Sequence, residues 1–158
     1  MAHEFQAQLV KVVDGDTIDA DIHLGFNTIM RDRIRLMGID TPESRTRNLQ
    51  EKSWGLAAKH RLIELLAETD GHFVLHTEEM KKGKFGRVLG TIMVNGKDAN
   101  QVLMDEKFAI PYLGGNKDES RTKFGVVELW NTYYENPQEH DDDHEHGDEP
   151  EGIDWHAE

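Results

Sequence analysis

A chain of 158 residues with a formal net charge of −13 is long enough to fold as one domain around a sizeable core, and it has no apolar run able to span a bilayer as a helix. With no cysteine it carries neither disulfides nor thiolate chemistry. The charge is uneven: residues 138–158 hold ten Asp and Glu and no Lys or Arg, which leaves 21 acids against 18 bases in residues 1–137.

The first residues, MAHEFQAQLVKVV, lack a basic n-region, an apolar h-region and a cleavage-like site, so a cytosolic chain is expected. FQAQLVKVV and DTIDADIHL alternate as strands, joined by a hairpin turn at Asp14-Gly15. A Gly-Phe-Asn turn leads to a third strand over about Thr28 to Met37. A helix is predicted from about Ser53 to Glu68, where Trp54, Ala58, Leu62, Leu65 and Leu66 recur at helical spacing. HFVLHTE and RVLGTIMV read as the fourth and fifth strands, separated by the loop EMKKGKFG. A short helix is expected around Ala99 to Lys107 and a last one from Glu119 to Tyr134. Pro137 closes the ordered domain, 1–137, and the acidic tail, 138–158, reads as disordered. The order is α+β, and five short strands with a helix after the third fit an OB-type barrel with three helices.

Three motifs carry chemistry. In VVDGDTIDAD, Asp14 reads as a turn residue and Asp19 and Asp21 as solvent-facing, whereas strand parity puts Asp16 with Ile18, Ala20 and Ile22 on the apolar side. A carboxylate there wants a cation or a metal as partner. An EF-hand reading fails, because Asp19 and Gly25 stand where that loop needs glycine and glutamate. In RIRLMGIDTPE, Pro42 makes a rigid turn holding Asp40 and Glu43 just past a strand that bears Arg35. Here the plainer reading is a helix-entry turn with a surface arginine. In KKGKFGRVLG, Arg87 begins a strand after a basic glycine loop, which is either a surface hairpin or a phosphate contact. Hard acids, two forked cations and a spare glutamate make up an inventory for phosphodiester hydrolysis.

VVDGDT, RIRLMGIDTPE and KFGRVLG, in this order and at these spacings, resemble the staphylococcal nuclease (thermonuclease) family over about Leu9 to Tyr134. The resemblance implies an OB-type barrel with three helices and a Ca²⁺-dependent nuclease acting on DNA and RNA, leaving 3′-phosphate ends. It implies Asp16 and Asp40 as metal ligands with the Thr41 main-chain carbonyl, Glu43 as general base, and Arg35 and Arg87 on the scissile phosphate. Lys84 and Tyr112 would lie near the terminal phosphate and nucleoside pocket. Because bound calcium is scarce in cytosol, Mg²⁺ and Mn²⁺ are alternative cations. Phe85 and Gly83 depart from the tyrosine and acid common in the family. A monomer with a nucleic-acid substrate and no membrane partner is expected. The rival is a non-catalytic nucleic-acid-binding OB module, which would be expected to lose acids or arginines that this chain keeps.

Overall fold

The computed structural model describes residues 3–78, 86–112 and 116–135. In chain order the elements are β1 (His3–Asp14), β2 (Thr17–Gly25), β3 (Thr28–Leu36), β4 (Ile39–Asp40), α1 (Leu49–Ala67), β5 (His72–Thr77), β6 (Val88–Val94), β7 (Lys97–Asp98), α2 (Ala99–Asp105), β8 (Ile110–Pro111), α3 (Lys117–Lys123) and α4 (Val127–Glu135). The five long strands lie in the order β3-β2-β1-β5-β6. Neighbours in that row are antiparallel, and β3 also pairs in parallel with β6 through Ile34 opposite Val88 and Leu36 opposite Gly90. That last pairing closes the row on itself, so the barrel has no open edge among these five strands.

Alternation along the strands fills the barrel with Leu9, Ile18, Ala20, Ile22, Ile34, Leu36, Leu75, Ile92 and Val94, all buried. Helix α1 covers it with Leu62, Leu65 and Leu66. Each such side chain removed from water contributes about 1.5–3 kcal/mol. A second, smaller cluster lies beside the barrel, where Trp54 of α1 meets Ile110, Val126 and Trp130. Trp54 therefore anchors the helical flank, not the barrel interior.

Four expectations change. Helix α1 begins at Leu49, four residues before Ser53, because Asn48 caps it by accepting from the Glu51 N–H at 3.0 Å. The segment 48–51, Asn-Leu-Gln-Glu, has the spacing of a capping box. The predicted last helix is two, α3 and α4, broken where Gly125 takes φ +65°, so there are four helices among the described residues. The β1–β2 turn is Gly15-Asp16, with Asp14 opposite Thr17, so strand parity does not govern Asp16. Asp19 and Asp21 are not merely solvated: each faces an arginine across the β2–β3 ladder, Arg33 and Arg31, with Nε to Oδ1 at 2.8 Å in both pairs. Those two arginines are thus partly neutralised as a polyanion-binding group. Residues 79–85, with Lys81, Lys82 and Lys84, and residues 138–158 lie outside the described residues.

Candidate active site

The site is built where the β1–β2 turn meets the segment after β3. Gly15 makes that meeting possible: a Cβ on it would stand 2.7 Å from Ala58 Cβ and 3.1 Å from Thr41 Cγ2. The turn therefore lies flush against α1, and Asp16 is carried inward to 7% exposure. Its two oxygens are both used. Oδ1 accepts from the Thr17 hydroxyl at 2.9 Å, and Oδ2 accepts from the Thr41 N–H at 3.0 Å. The β3 backbone closes over the same turn, with the Leu36 N–H donating to the Asp16 carbonyl at 2.8 Å.

Asp40 reaches the site on its own two-residue strand. β4 leaves the barrel after Gly38, at φ +82°, and pairs with β8, Asp40 opposite Ile110. Arg35 then lies between the two acids. Its Nη1 is 3.4 Å from Asp16 Oδ2 and its Nη2 is 3.7 Å from Asp40 Oδ1, while Nη1 also donates to the Leu36 carbonyl at 3.0 Å. Burial and then the charge of Asp16 push the Asp40 carboxyl above its ordinary value, and the opposing pull of Lys117, Arg35 and Arg121 does not cancel them. The Arg35 contact, at 3.7 Å, is too long to reverse that balance. Two acids that repel each other at a rim, both with hard oxygen donors, are suited to a divalent cation of the Ca²⁺ or Mg²⁺ class. Among the described residues no three His, Cys, Asp or Glu side chains come together as a metal-holding group. Asp16 and Asp40 are the two carboxylates that come together here.

Glu43 is set by its backbone. In the segment Thr41–Ser44 three residues have a backbone N–H, since Pro42 has none, and each donates to a carboxylate. Thr41 donates to Asp16, Glu43 to Glu51 Oε2 at 2.9 Å, and Ser44 to Asp14 Oδ1 at 3.1 Å. The Ser44 hydroxyl also donates to Asp14. Asp14 is therefore more than a turn residue: it pins the far end of the Asp40–Glu43 turn. Against this segment α1 presents Gly55, where a Cβ would stand 2.4 Å from the Glu43 carbonyl carbon and oxygen. The Glu43 side chain itself remains exposed.

Glu51 is held in turn by Arg121, which donates from Nη1 and Nη2 to its two oxygens at 2.7 and 2.8 Å. Arg121 is 5% exposed and lies 5.3 Å from the ring centroids of both Trp54 and Trp130. Burial pushes the Glu51 carboxyl up, but the Arg121 fork, the Glu43 N–H and the charges of Arg121 and Lys117 outweigh it and hold it below the ordinary value. Glu43, Glu51, Lys117 and Arg121 line one polar cleft.

The remaining residues fall as follows. Arg35 faces Leu89 in the parallel ladder, so half-buried Arg87, two residues before Leu89, falls on the same side by parity. The Tyr112 N–H donates to the Gly38 carbonyl at 3.0 Å, its ring centroid is 5.9 Å from the Arg35 guanidinium, and the residue is 61% exposed. Lys84 lies outside the described residues.

Sequence comparison decides the family. The profile described as "Staphylococcal nuclease homologue" matches residues 33–128, more than half of the chain. The chain belongs to the staphylococcal nuclease family. Similar family members and relatives include a thermonuclease of Staphylococcus intermedius, 35% identical over 112 residues, covering 67% of this chain and 62% of that protein. An endonuclease of Bacillus subtilis, YncB, is 29% identical over 133 residues, covering 77% and 60%. An uncharacterized protein of Methanocaldococcus jannaschii is 31% identical over 157 residues, covering 82% and 73%. The chain thus spans about three quarters of the archaeal relative's length and about three fifths of the other two.

For this member of the staphylococcal nuclease family, the fold brings Asp16, Arg35, Asp40, Thr41 and Tyr112 into one neighbourhood, with Glu43 on the same turn. Sequence reasoning missed Asp14, Glu51, Gly55, Lys117 and Arg121. Gly55 had a readable signal, a glycine inside a strongly helical run, where it costs about 1 kcal/mol relative to alanine and usually has a packing reason. Arg121 had none, because its carboxylate partner Glu51 is 70 residues away and its ring partners Trp54 and Trp130 are 67 and 9 residues away, none at a local spacing.

Proposed function

We propose that this chain is a metal-dependent nuclease that hydrolyses phosphodiester bonds of DNA and RNA, with Ca²⁺ as its cation and 3′-phosphate ends on its products. The observation that carries the reading is Arg35 set between Asp16 and Asp40, with exposed Glu43 on the adjoining rigid turn. Membership of the staphylococcal nuclease family supports the reaction class, and two relatives bear the names thermonuclease and endonuclease.

In this reading Asp16, Asp40 and the Thr41 carbonyl would hold the cation as hard oxygen donors of the kind Ca²⁺ takes. A bound cation neutralises phosphate charge and polarises the phosphorus centre. The Arg35 fork donates to phosphate oxygens as charge builds on them, and Arg87 supplies a second fork from the neighbouring strand end. The Glu43 carboxylate accepts a proton from, or orients, the attacking water. Tyr112, beside Arg35, offers an exposed ring on which a nucleoside can rest.

Plasmid digestion by the purified full chain tests this directly. Fragments with Ca²⁺ and intact plasmid in EDTA are expected, and primer extension from the products should require prior phosphatase treatment. Cleavage in EDTA would refute the metal assignment. Binding without cleavage under every cation would leave the non-catalytic OB module.

A further inference from the structure

We propose that Arg121 and Glu51 are positioning residues for Glu43, acting through its main chain. The inference rests on the reading of Glu43 as the group that handles water, and goes beyond it by naming what aims that group.

The structure supplies a connected set of contacts. Arg121 is nearly fully buried against a pair of touching indole rings, 5.3 Å from each centroid, with the centroids themselves 5.2 Å apart. A guanidinium so enclosed has little freedom, and its planar fork fixes Glu51 at two oxygens. Glu51 Oε2 accepts at once from Arg121 Nη2 and from the Glu43 N–H. Glu51 is also the third residue of α1, with its own N–H bonded to the Asn48 cap, so its backbone is fixed as well. The usual reach of a glutamate at that position is back to the cap's N–H. Here the cap's N–H goes to the Thr46 hydroxyl at 3.3 Å, and the carboxylate is turned to Glu43 instead. Stability alone does not ask for this arrangement, since a buried ion pair often contributes no more than apolar residues of similar volume. What the pair adds is one defined place for the Glu43 backbone, and hence for the origin of a side chain whose carboxyl carbon is three bonds from Cα. A misplacement of about 1 Å at a reacting centre can cost on the order of 10²-fold in rate.

Arg121→Lys keeps the charge and loses the fork, and Glu51→Gln keeps one acceptor oxygen and loses the charge. Each is made in the full chain alone and on a Glu43→Gln background, and kcat, KM and DNA affinity are measured with Ca²⁺ at a temperature where circular dichroism shows folded protein. In the parental background Arg121→Lys should lower kcat by about 10-fold, a tenth of the loss a 1 Å misplacement can bring, with KM and DNA affinity changed by less than about 2-fold. On the Glu43→Gln background the same substitution should change kcat by less than about 2-fold, because its only route of action is gone. Glu51→Gln should behave alike and serves if Arg121→Lys does not fold. Equal kcat losses in both backgrounds, or unaltered kcat in the parental one, would overturn the positioning role. A Glu43→Gln variant with parental kcat would overturn the reading of Glu43 itself, and the proposal with it.

Discussion

Gly55→Ala sets two effects against each other with opposite signs. Inside a helix, alanine is favoured over glycine by about 0.8–1 kcal/mol, so on propensity alone the substitution stabilises α1. At this position the added Cβ would stand 2.4 Å from the carbonyl carbon and oxygen of Glu43 and 2.6 Å from the Ser44 nitrogen. Ordinary contact lies near 3.5 Å, so helix and loop must part by about 1 Å. Both are backbone, and the loop is held on its other sides by Asp14 and Asp16. Neither can yield as the end of a side chain would. Overpacking of this kind costs about 1–3 kcal/mol, which outweighs the propensity gain at all but the lower limit. The expected result is net destabilisation of up to about 2 kcal/mol in urea unfolding, taking the difference of those two ranges. Activity should suffer more than stability, because the parted atoms belong to Glu43, and a shift of about 1 Å there is worth on the order of 10²-fold in kcat. Urea unfolding and plasmid cleavage on the same preparation check both. A Gly55→Ala variant that is more stable than the parent and cleaves at the parental rate would refute the close approach.

Further outcomes follow from the same geometry. Asp16→Asn and Asp40→Asn should each weaken Ca²⁺ binding in a calorimetric titration, but in EDTA at neutral pH they should separate. Asp40 is pushed up by burial and by Asp16, so its ionised form costs stability and its removal leaves the protein at least as stable as the parent. Asp16→Asn loses one of two oxygens that both accept hydrogen bonds, and its melting should report a loss of about 1–3 kcal/mol; identical melting of the two variants would contradict this. Arg35→Lys and Arg87→Lys keep charge but lose the fork, and kcat should fall on the order of 10²-fold with substrate binding changed far less; near-parental turnover in either would mark that arginine as a surface charge. Glu51 has its folded pKa depressed, so the stability it adds is present above its ordinary value of 4.5 and lost as pH falls through the folded one. The unfolding free-energy gap between the parent and Glu51→Gln should therefore be full at pH 7 and shrink below about pH 4.5, whereas a gap independent of pH would rule out the ionised pair as its source.

The sequence by itself determined the barrel and the identity of the chemical groups. Strand alternation is a local, period-two signal, and it correctly put Ile18, Ala20 and Ile22 inside. The motif set marked Asp16, Arg35, Asp40 and Glu43 as a group, and the order of elements was enough to suggest the OB-type fold. Local signals failed where a residue's role depends on something distant in the chain. Parity gave Asp16 an inward direction for a reason that does not hold, since it lies in the turn; its burial comes from the docking of that turn on Thr41 and Ala58, held close by Gly15. Asp19 and Asp21 looked solvated because their arginines lie on the next strand. The start of α1 was set too late because the cap Asn48 lies among polar residues that give no apolar period. Most of all, only the tertiary structure decided how Glu43 is held. Its N–H acceptor is 8 residues away, that acceptor's arginine is 70 residues further, and the glycine that admits the loop lies on a helix. Composition and spacing report which groups a chain owns; the docking of the β1–β2 turn, the Thr41–Ser44 segment and Arg121 of α3 on α1 decides which backbone each of them holds still.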